Sequence, residues 1–459
     1  MSWKVVDIEK IKNVYFIGIG GIGMSALALY FQRKGCSVSG YDKVPSIVTG
    51  MLEAQDIPVH FEEKPDILQA LNKKETLVVY TPAVPSQHKE LLLAFDSGYP
   101  VMKRAEVLGL ISGAYRTIAV AGTHGKTTVT SMIAHIFKIA GKKSVVFTGG
   151  LMSNYDTNFL YDDDAEYMIV EADEYDRSFL NFDRIYIEAV TAVDADHLDI
   201  YGTYANLTDA FKKFAGRVQD EGVLVVNEKY AALFDTANER IYGFDAGKYR
   251  AVNVSVRDFK FDLEVAGQVM MEGISLKVAG VHNIENAVAA SAVALEAGID
   301  EKRVRKALET FKGNWRRFEI VYNDDDVVYI DDYAHHPREI ESVLKSVREI
   351  WQGKKVTVVF QPHLYTRTRD FADEFAKVLS EADEVVLLPI YPARELPLPG
   401  ISSEWLASRI GKEVPVVEKS EIAEFLRNGS HEIIITLGAG DIDREVKKIK
   451  RMLEEKYAK

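Results

Sequence analysis

Thr117-Ile118-Ala119-Val120-Ala121-Gly122-Thr123-His124-Gly125-Lys126-Thr127-Thr128 decides how the chain is read. An apolar, β-type run stops at glycine. A Gly-Lys-Thr turn then opens a helical spacing of apolar residues at Val129, Met132, Ile133, Ile136 and Phe137. Strand, glycine turn and helix N-terminus together make a phosphate cradle, because free backbone N–H groups and the positive end of the helix dipole face the anion. Lys126 can reach the terminal phosphates of a nucleotide, and the Thr127 hydroxyl can sit on a phosphate-bound Mg2+. The full phosphate-loop motif carries a glycine five residues before the second one, and that position here is Val120. Gly122-x-x-Gly125-Lys126-Thr127 is therefore a shortened relative of the motif, set against the alternative of an ordinary strand–helix turn.

Upstream, Asn13 to Gly18 reads as a buried strand, followed by Gly18-Ile19-Gly20-Gly21-Ile22-Gly23 and a helical stretch from Met24 to Lys34. A second strand, Val38 to Tyr41, ends at Asp42. A G-x-G-x-x-G turn between strand and helix, with an acid about 20 residues on, is a dinucleotide-type turn. Its glycines recognise a diphosphate through backbone amides. A nicotinamide cofactor, another nucleotide or nucleotide sugar, and tight packing alone all remain open from these residues. Thr76 to Tyr80 is a further strand, and Thr81 to Pro85 leaves its carboxyl end, where ligands of open α/β sheets lie.

Downstream, a linker is expected around Ala105 to Arg116. The strand Met168 to Val170 delivers Glu171-Ala172-Asp173-Glu174, and Ala189 to Val193 delivers Asp194-Ala195-Asp196-His197. Carboxylates at strand ends beside a phosphate loop suit Mg2+, which takes a few protein oxygens together with phosphate oxygens. Tyr249 to Val278 alternates as strands do, and Gly280-Val281-His282-Asn283-Ile284-Glu285-Asn286-Ala287 opens an alanine-rich helix. The last block repeats strand–helix alternation, with strands at Val327 to Asp331, Val356 to Phe360, Val385 to Ile390 and Ile433 to Leu437. Two polar clusters fall at strand ends, Asp331 to Pro337 and Gln361 to Arg369. Six of the ten histidines (His124, His197, His282, His335, His336 and His363) lie in these clusters.

A chain of 459 residues favours about three domains. Its net charge of −13 lacks the basic excess of a nucleic-acid binder. One cysteine, Cys36, excludes an internal disulfide and points to a reducing compartment. With no leader-like N-terminus and no apolar run of about 20 residues, the expected location is the cytoplasm, away from membranes.

Taken in order, GIGGIGMS (18–25), GTHGKTT (122–128), EADE (171–174), DADHLD (194–199), His282-Asn283-x-x-Asn286-Ala287, Arg316-Arg317-Phe318, Asp331 to Pro337 and the Pro362-His363…Thr366-Arg367-Thr368-Arg369 run resemble the Mur ligases. The similarity is greatest to the members that join L-alanine to UDP-N-acetylmuramate, and it spans roughly residues 13 to 440. It implies an α/β protein of three domains. A Rossmann-like domain (1–106) would hold the UDP substrate, and a central domain with a mostly parallel sheet (107–313) would bind ATP. A Rossmann-like C-terminal domain (314–459) would hold the amino acid and close over the site.

The resemblance also implies residue roles. Gly18, Gly20, Gly21, Ile22, Gly23 and Thr81 would bind the UDP part, with Asp42 near the uridine and His124 at the substrate. Gly122, Thr123, Gly125, Lys126, Thr127 and Thr128 would bind ATP phosphates. Thr127 and Glu171 would hold one Mg2+, and His197 a second. His282, Asn283 and Asn286 would lie at the adenine, while Arg317 and Asp332 would reach the nucleotide. Tyr333, His335, His363 and Arg367 would shape the L-alanine site. Arg367 and Arg369 are suited to bidentate pairing with a carboxylate or phosphate. His335, water or the substrate phosphate would take the amine proton. Asp443 stands where relatives commonly continue with glycine, which leaves the role of the Gly438–Asp443 turn open. A ligase adding a preformed murein peptide, or an NAD-dependent dehydrogenase using the first glycine turn, are the alternatives.

Overall fold

The computed structural model describes residues 8–195, 198–236, 238–393 and 395–457. Two compact units form. The first takes the chain to Asn253 with Phe261–Ser275 and Ile284–Lys312, and the second takes Val254–Lys260, Leu276–Asn283 and everything from Gly313.

The first unit holds two sheets. One has five parallel strands in the order Val59–His60, Ser37–Tyr41, Asn13–Ile17, Thr76–Tyr80, Val101–Lys103. Val14 to Ile17 are buried throughout, as a parallel strand covered on both faces requires. The strand order reverses beside Asn13–Ile17, so the Gly18–Gly23 turn leaves the sheet at the switch point where α/β ligands bind. The second sheet has ten strands, in the order Gln268–Ser275, Lys260–Val265, Tyr249–Ser255, Glu239–Gly243, Val218–Asn227, Ile185–Val190, Arg116–Ala121, Tyr167–Glu171, Ser144–Met152, Thr157–Tyr161. The phosphate-loop strand Arg116–Ala121 runs parallel to both of its neighbours, which are the two strands that end in acidic clusters. All three therefore release their loops on the same edge.

The structure departs from the sequence reading at several points, among them the strand expected at Val385 to Ile390, which runs from Glu384 to Leu387. The stretch expected as a linker is largely the helix Arg104–Ser112, with Val107, Leu108 and Ile111 buried and Glu106 accepting from the Lys103 amide at 2.7 Å. Its apolar residues carry helical spacing, and Gly109 lets it press on the Asn181 backbone. The second acidic strand ends at Val190 rather than Val193, because Thr191 turns to hydrogen-bond the carbonyls of Ala121 and His124. The antiparallel hairpin Ser144–Met152 and Thr157–Tyr161 was not anticipated at all. Its Phe147, Phe159 and Tyr161 surround Tyr30 of the helix Ile22–Arg33. Asn158 donates to the Ile22 carbonyl at 2.5 Å and to Ser25 at 3.1 Å. That apolar and polar seam makes one compact unit of the first two sheets.

The second unit is built on a five-stranded sheet, Glu319–Asn323, Val328–Asp332, Ile433–Leu437, Val356–Phe360, Glu384–Leu387, parallel except for its first edge strand. Helix Pro337–Ile350 starts on a capping box between His336 and Glu339.

Glu188 is an anomaly of the central sheet. It is fully buried, in register with Ala119 and Leu224, and neither carboxylate oxygen has a hydrogen-bond partner among the described residues. Burial pushes its pKa well above the ordinary carboxylate value, so folding takes up a proton. The stability this acid allows is full below its unfolded pKa. It falls as pH rises toward the raised folded pKa, by up to about 1.4 kcal/mol per pH unit. Glu188→Leu removes the titration and the unsatisfied oxygens, so it is expected to stabilise the protein by about 1–3 kcal/mol near neutral pH. Urea unfolding at pH 5 and pH 8 checks this: the gain must be larger at pH 8, and an equal gain at both would contradict it.

Candidate active site

The turn after Arg116–Ala121 is shaped by two glycines in the left-handed region, Gly122 at φ +137° and Gly125 at φ +82°. A Cβ at 122 would meet Thr191 Oγ1 and come within 2.7 Å of the Ala192 nitrogen, and one at 125 would lie 2.8 Å from Asn286 Oδ1. Thr123 is held on both sides, its N–H donating to the Ala192 carbonyl (2.9 Å) and its hydroxyl accepting from the Asp194 amide (3.1 Å). Gly125 caps the helix Lys126–Ala140, which begins with Lys126, Thr127 and Thr128 and has no side-chain cap. Its first amides are left for an anion.

Lys126 lies almost buried. Its ammonium donates to the Gly122 carbonyl at 2.6 Å and to both oxygens of Glu174 at 3.0 and 2.8 Å, with Asp173 at 4.0 Å. Burial opposes its charge, but Glu174, Asp173 and Glu171 outweigh burial and hold its pKa above the ordinary lysine value. Thr127 Oγ1 donates to Glu171 Oε1 at 3.1 Å, and the Gly149 amide donates to Glu171 Oε2 at 2.8 Å. Burial raises the Glu171 pKa, with Lys126 pulling the other way. A threonine hydroxyl beside a fixed carboxylate is a set of hard oxygen donors that fits Mg2+. His124 stays half exposed with Nε2 3.7 Å from Asp194 Oδ2, and Tyr230 donates to Asp194 Oδ1 at 2.8 Å. His197 lies outside the described residues.

The other glycine turn belongs to the same unit. Gly18 takes φ +90°, with Thr81 Cγ2 3.0 Å from where its Cβ would stand. Gly23 leaves room for the Arg104 side chain, while Gly21 is exposed. The Gly20 amide donates to Asp42 Oδ2 at 2.7 Å, and the Lys43 amide to Asp42 Oδ1 at 2.7 Å. Asp42, expected near the uridine, stands in the structure as a strut of the glycine turn.

Asn286 reaches the phosphate loop. His282 and Asn283, four and three residues earlier on the helix Val281–Glu296, fall in the second unit. His282 packs against Phe318 with its ring centroid at 6.1 Å, and burial lowers its pKa to about 4. Asn283 donates to the Ala279 carbonyl at 2.6 Å.

Within the second unit, Tyr333, His335, His363 and Arg367 gather. The His335 and His363 rings stand 5.8 Å apart, and His363 stacks on Tyr391 at 5.6 Å. Burial lowers the His335 pKa against the opposing pull of Glu339, and burial, with Arg367 nearby, takes His363 to about 4. His363 Nδ1 and Arg367 Nη1 are buried with no hydrogen-bond partner among the described residues. Arg317 lies over the Tyr333 ring at 5.4 Å. Asp332 accepts from the Phe318 amide (2.6 Å) and the Ala334 amide (2.7 Å), and burial, partly offset by Arg317, raises its pKa to about 6. Both oxygens therefore already hold their own loop. Arg369 is outside the cluster, paired with Asp370 at 2.7 Å on the surface.

Two residues were missed as contributors. Glu174 was visible only as the last acid of its cluster. Arg316 grips Asp331 at 3.0 Å and the Gly438 and Gly440 carbonyls, so it fixes the turn whose role the sequence left open.

Comparison with known proteins covers nearly the whole chain. Residues 13–116 match the profile described as Mur ligase family, catalytic domain, and residues 120–294 match the Mur ligase middle domain. Residues 316–441 match the Mur ligase, glutamate ligase domain. The chain belongs to the Mur ligase family. This Mur ligase is 42% identical over 453 residues to a UDP-N-acetylmuramate–L-alanine ligase of Christiangramia forsetii (97% of this chain, 99% of that protein). It is 44% identical over 456 residues to one of Flavobacterium johnsoniae (98% and 100%). Its fold is similar to the crystal structure of a UDP-N-acetylmuramate–alanine ligase from Thermotoga maritima, with a TM-score of 0.81, 30% identity, and 96% and 99% coverage. A murein peptide ligase from Psychrobacter arcticus shares the fold, with a TM-score of 0.71 at 21% identity. Family membership sets aside the dehydrogenase reading of the first glycine turn. Among the described residues, no helix of this Mur ligase is long and apolar enough to cross a membrane.

Proposed function

We propose that this Mur ligase forms the amide bond between L-alanine and the lactyl carboxylate of UDP-N-acetylmuramate, with cleavage of ATP to ADP and phosphate, in the cytoplasmic synthesis of peptidoglycan precursors. The observation that carries the reading is its likeness, along essentially the whole chain, to relatives named for that reaction. Residues 1–106 would hold the UDP part, 107–313 the ATP and 314–459 the amino acid.

In this reading the lactyl carboxylate attacks the γ-phosphate, giving an acyl phosphate and ADP. The alanine amine then attacks the acyl carbon and phosphate leaves. Two anions must meet in the first step, so positive charge at the phosphate loop decides its rate. The loop amides and Lys126 supply it from this chain, with Asn286 beside Gly125. Thr127 and Glu171 would hold Mg2+, which when bound adds positive charge at the phosphates. A second ion would involve His197. In the second step His335, whose pKa burial lowers, would accept a proton, and Arg367, with a buried N–H that has no partner among the described residues, would meet a carboxylate.

The test is phosphate release by wild-type enzyme with ATP, Mg2+ and UDP-N-acetylmuramate, across a panel of L-alanine, glycine, L-serine and a murein tripeptide. L-alanine should give the highest kcat/KM, with no release when the sugar nucleotide is omitted. Preference for the tripeptide would move the assignment to the peptide-adding branch, and turnover indifferent to the sugar nucleotide would sink it.

A further inference from the structure

We propose that Glu174 is a positioning residue that holds the Lys126 ammonium until nucleotide phosphates take it, so that its carboxylate and the phosphates compete for one cation. The inference rests on the ATP reading of the phosphate loop. An ammonium has three protons to donate, and here they are spent on the Gly122 carbonyl and on both oxygens of Glu174. The Glu174 side chain is fully buried and that of Lys126 is 12% exposed, so water weakens this pair little. Asp173 is not an equivalent partner, being 4.0 Å away and 40% exposed.

The Glu174 backbone is also held in place. Its carbonyl accepts from the Tyr201 hydroxyl at 2.7 Å and from the Arg177 amide at 3.0 Å. The next turn is locked through Asp176 and Arg177, both at positive φ, and the Phe179 amide donates to the Asp173 carbonyl at 2.9 Å. When phosphates draw Nζ toward the helix N-terminus, the ammonium gives up a carboxylate whose backbone is fixed. Nucleotides that reach Lys126 with a β- or γ-phosphate meet this competition, whereas a nucleotide with only an α-phosphate does not.

Glu174→Gln keeps the shape and a hydrogen-bond acceptor but removes the competing charge. By calorimetric titration with Mg2+ present, the Kd for AMP-PNP should fall about tenfold while that for AMP stays unchanged. The KM for ATP should fall with it. A merely structural pair would move both ligands together, or weaken both. An unchanged or weaker AMP-PNP affinity in a folded variant overturns the proposal. If Glu174→Gln fails to fold, Glu174→Asp, with a carboxylate one methylene short of Nζ, must show the same selective tightening at smaller amplitude. Failure of both variants to fold overturns the proposal in favour of a structural ion pair. Wild-type protein that binds no AMP-PNP would instead overturn the nucleotide reading beneath it.

Discussion

Lys126→Ala is expected to lower kcat for ATP-dependent amide formation roughly 10³-fold, the scale of losing one preorganised charge from a transition state. The ammonium is the side-chain cation seated in the phosphate loop, with Nζ 2.6 Å from the Gly122 carbonyl. The substitution has a second effect that must be separated from the first. It strands Glu174, a fully buried carboxylate, and breaking a buried pair from one side costs about 3–5 kcal/mol. Lys126→Ala should therefore melt well below wild type. Adding Glu174→Gln should restore most of the melting temperature and none of the activity. Steady-state assays and thermal unfolding of the two single variants and the double variant check both halves. Recovery of turnover in the double variant would remove Lys126 from the chemistry.

Gly122→Ala is the second large effect, and it acts through the backbone. At φ +137° an L-residue is strained, and the added methyl meets Thr191 and Ala192, whose carbonyl holds the Thr123 amide. Strain and overpacking together should cost roughly 2–4 kcal/mol. The displaced Thr191–Ala192 segment should also carry the loop away from its anion-binding geometry, so AMP-PNP binding should be lost. Gly141→Ala is the control. Gly141 ends the same helix at φ +68° with open space around its Cβ position, so only strain of about 1–2 kcal/mol applies and nucleotide binding should persist. Equal losses in the two variants would mean that general destabilisation, not loop geometry, explains the first.

The fold was legible in the sequence wherever a short string carries its own geometry. Strand, glycine turn and helix appear at 116–140 as the spacing requires, because Gly122 and Gly125 are the residues that the turn's backbone demands. The strands at 76–80, 356–360 and 433–437 stand as read, since buried parallel strands are apolar runs without interruption. What was not legible depends on partners distant in the chain. The hairpin 144–161 is defined by packing on Tyr30 and by Asn158 reaching Ile22, neither of which leaves a local pattern. Glu174 looked like one acid among several, and only the fold shows it facing Lys126. Arg369 looked equivalent to Arg367, but Asp370 beside it takes its guanidinium while Arg367 turns inward. The helix 104–112 was hidden because its capping and packing partners matter more than the connecting position it occupies.

The central claim is that the phosphate loop serves to activate a carboxylate rather than only to cleave ATP. UDP-N-acetylmuramate labelled with 18O in its lactyl carboxylate tests it most directly, in a single reaction with ATP, Mg2+ and L-alanine. Attack of the carboxylate on the γ-phosphate transfers one carboxylate oxygen to phosphorus, and the amine later expels it with the phosphate. The account predicts one 18O in each inorganic phosphate released, seen by mass spectrometry or as a 31P isotope shift. Amide formation with unlabelled phosphate would contradict it.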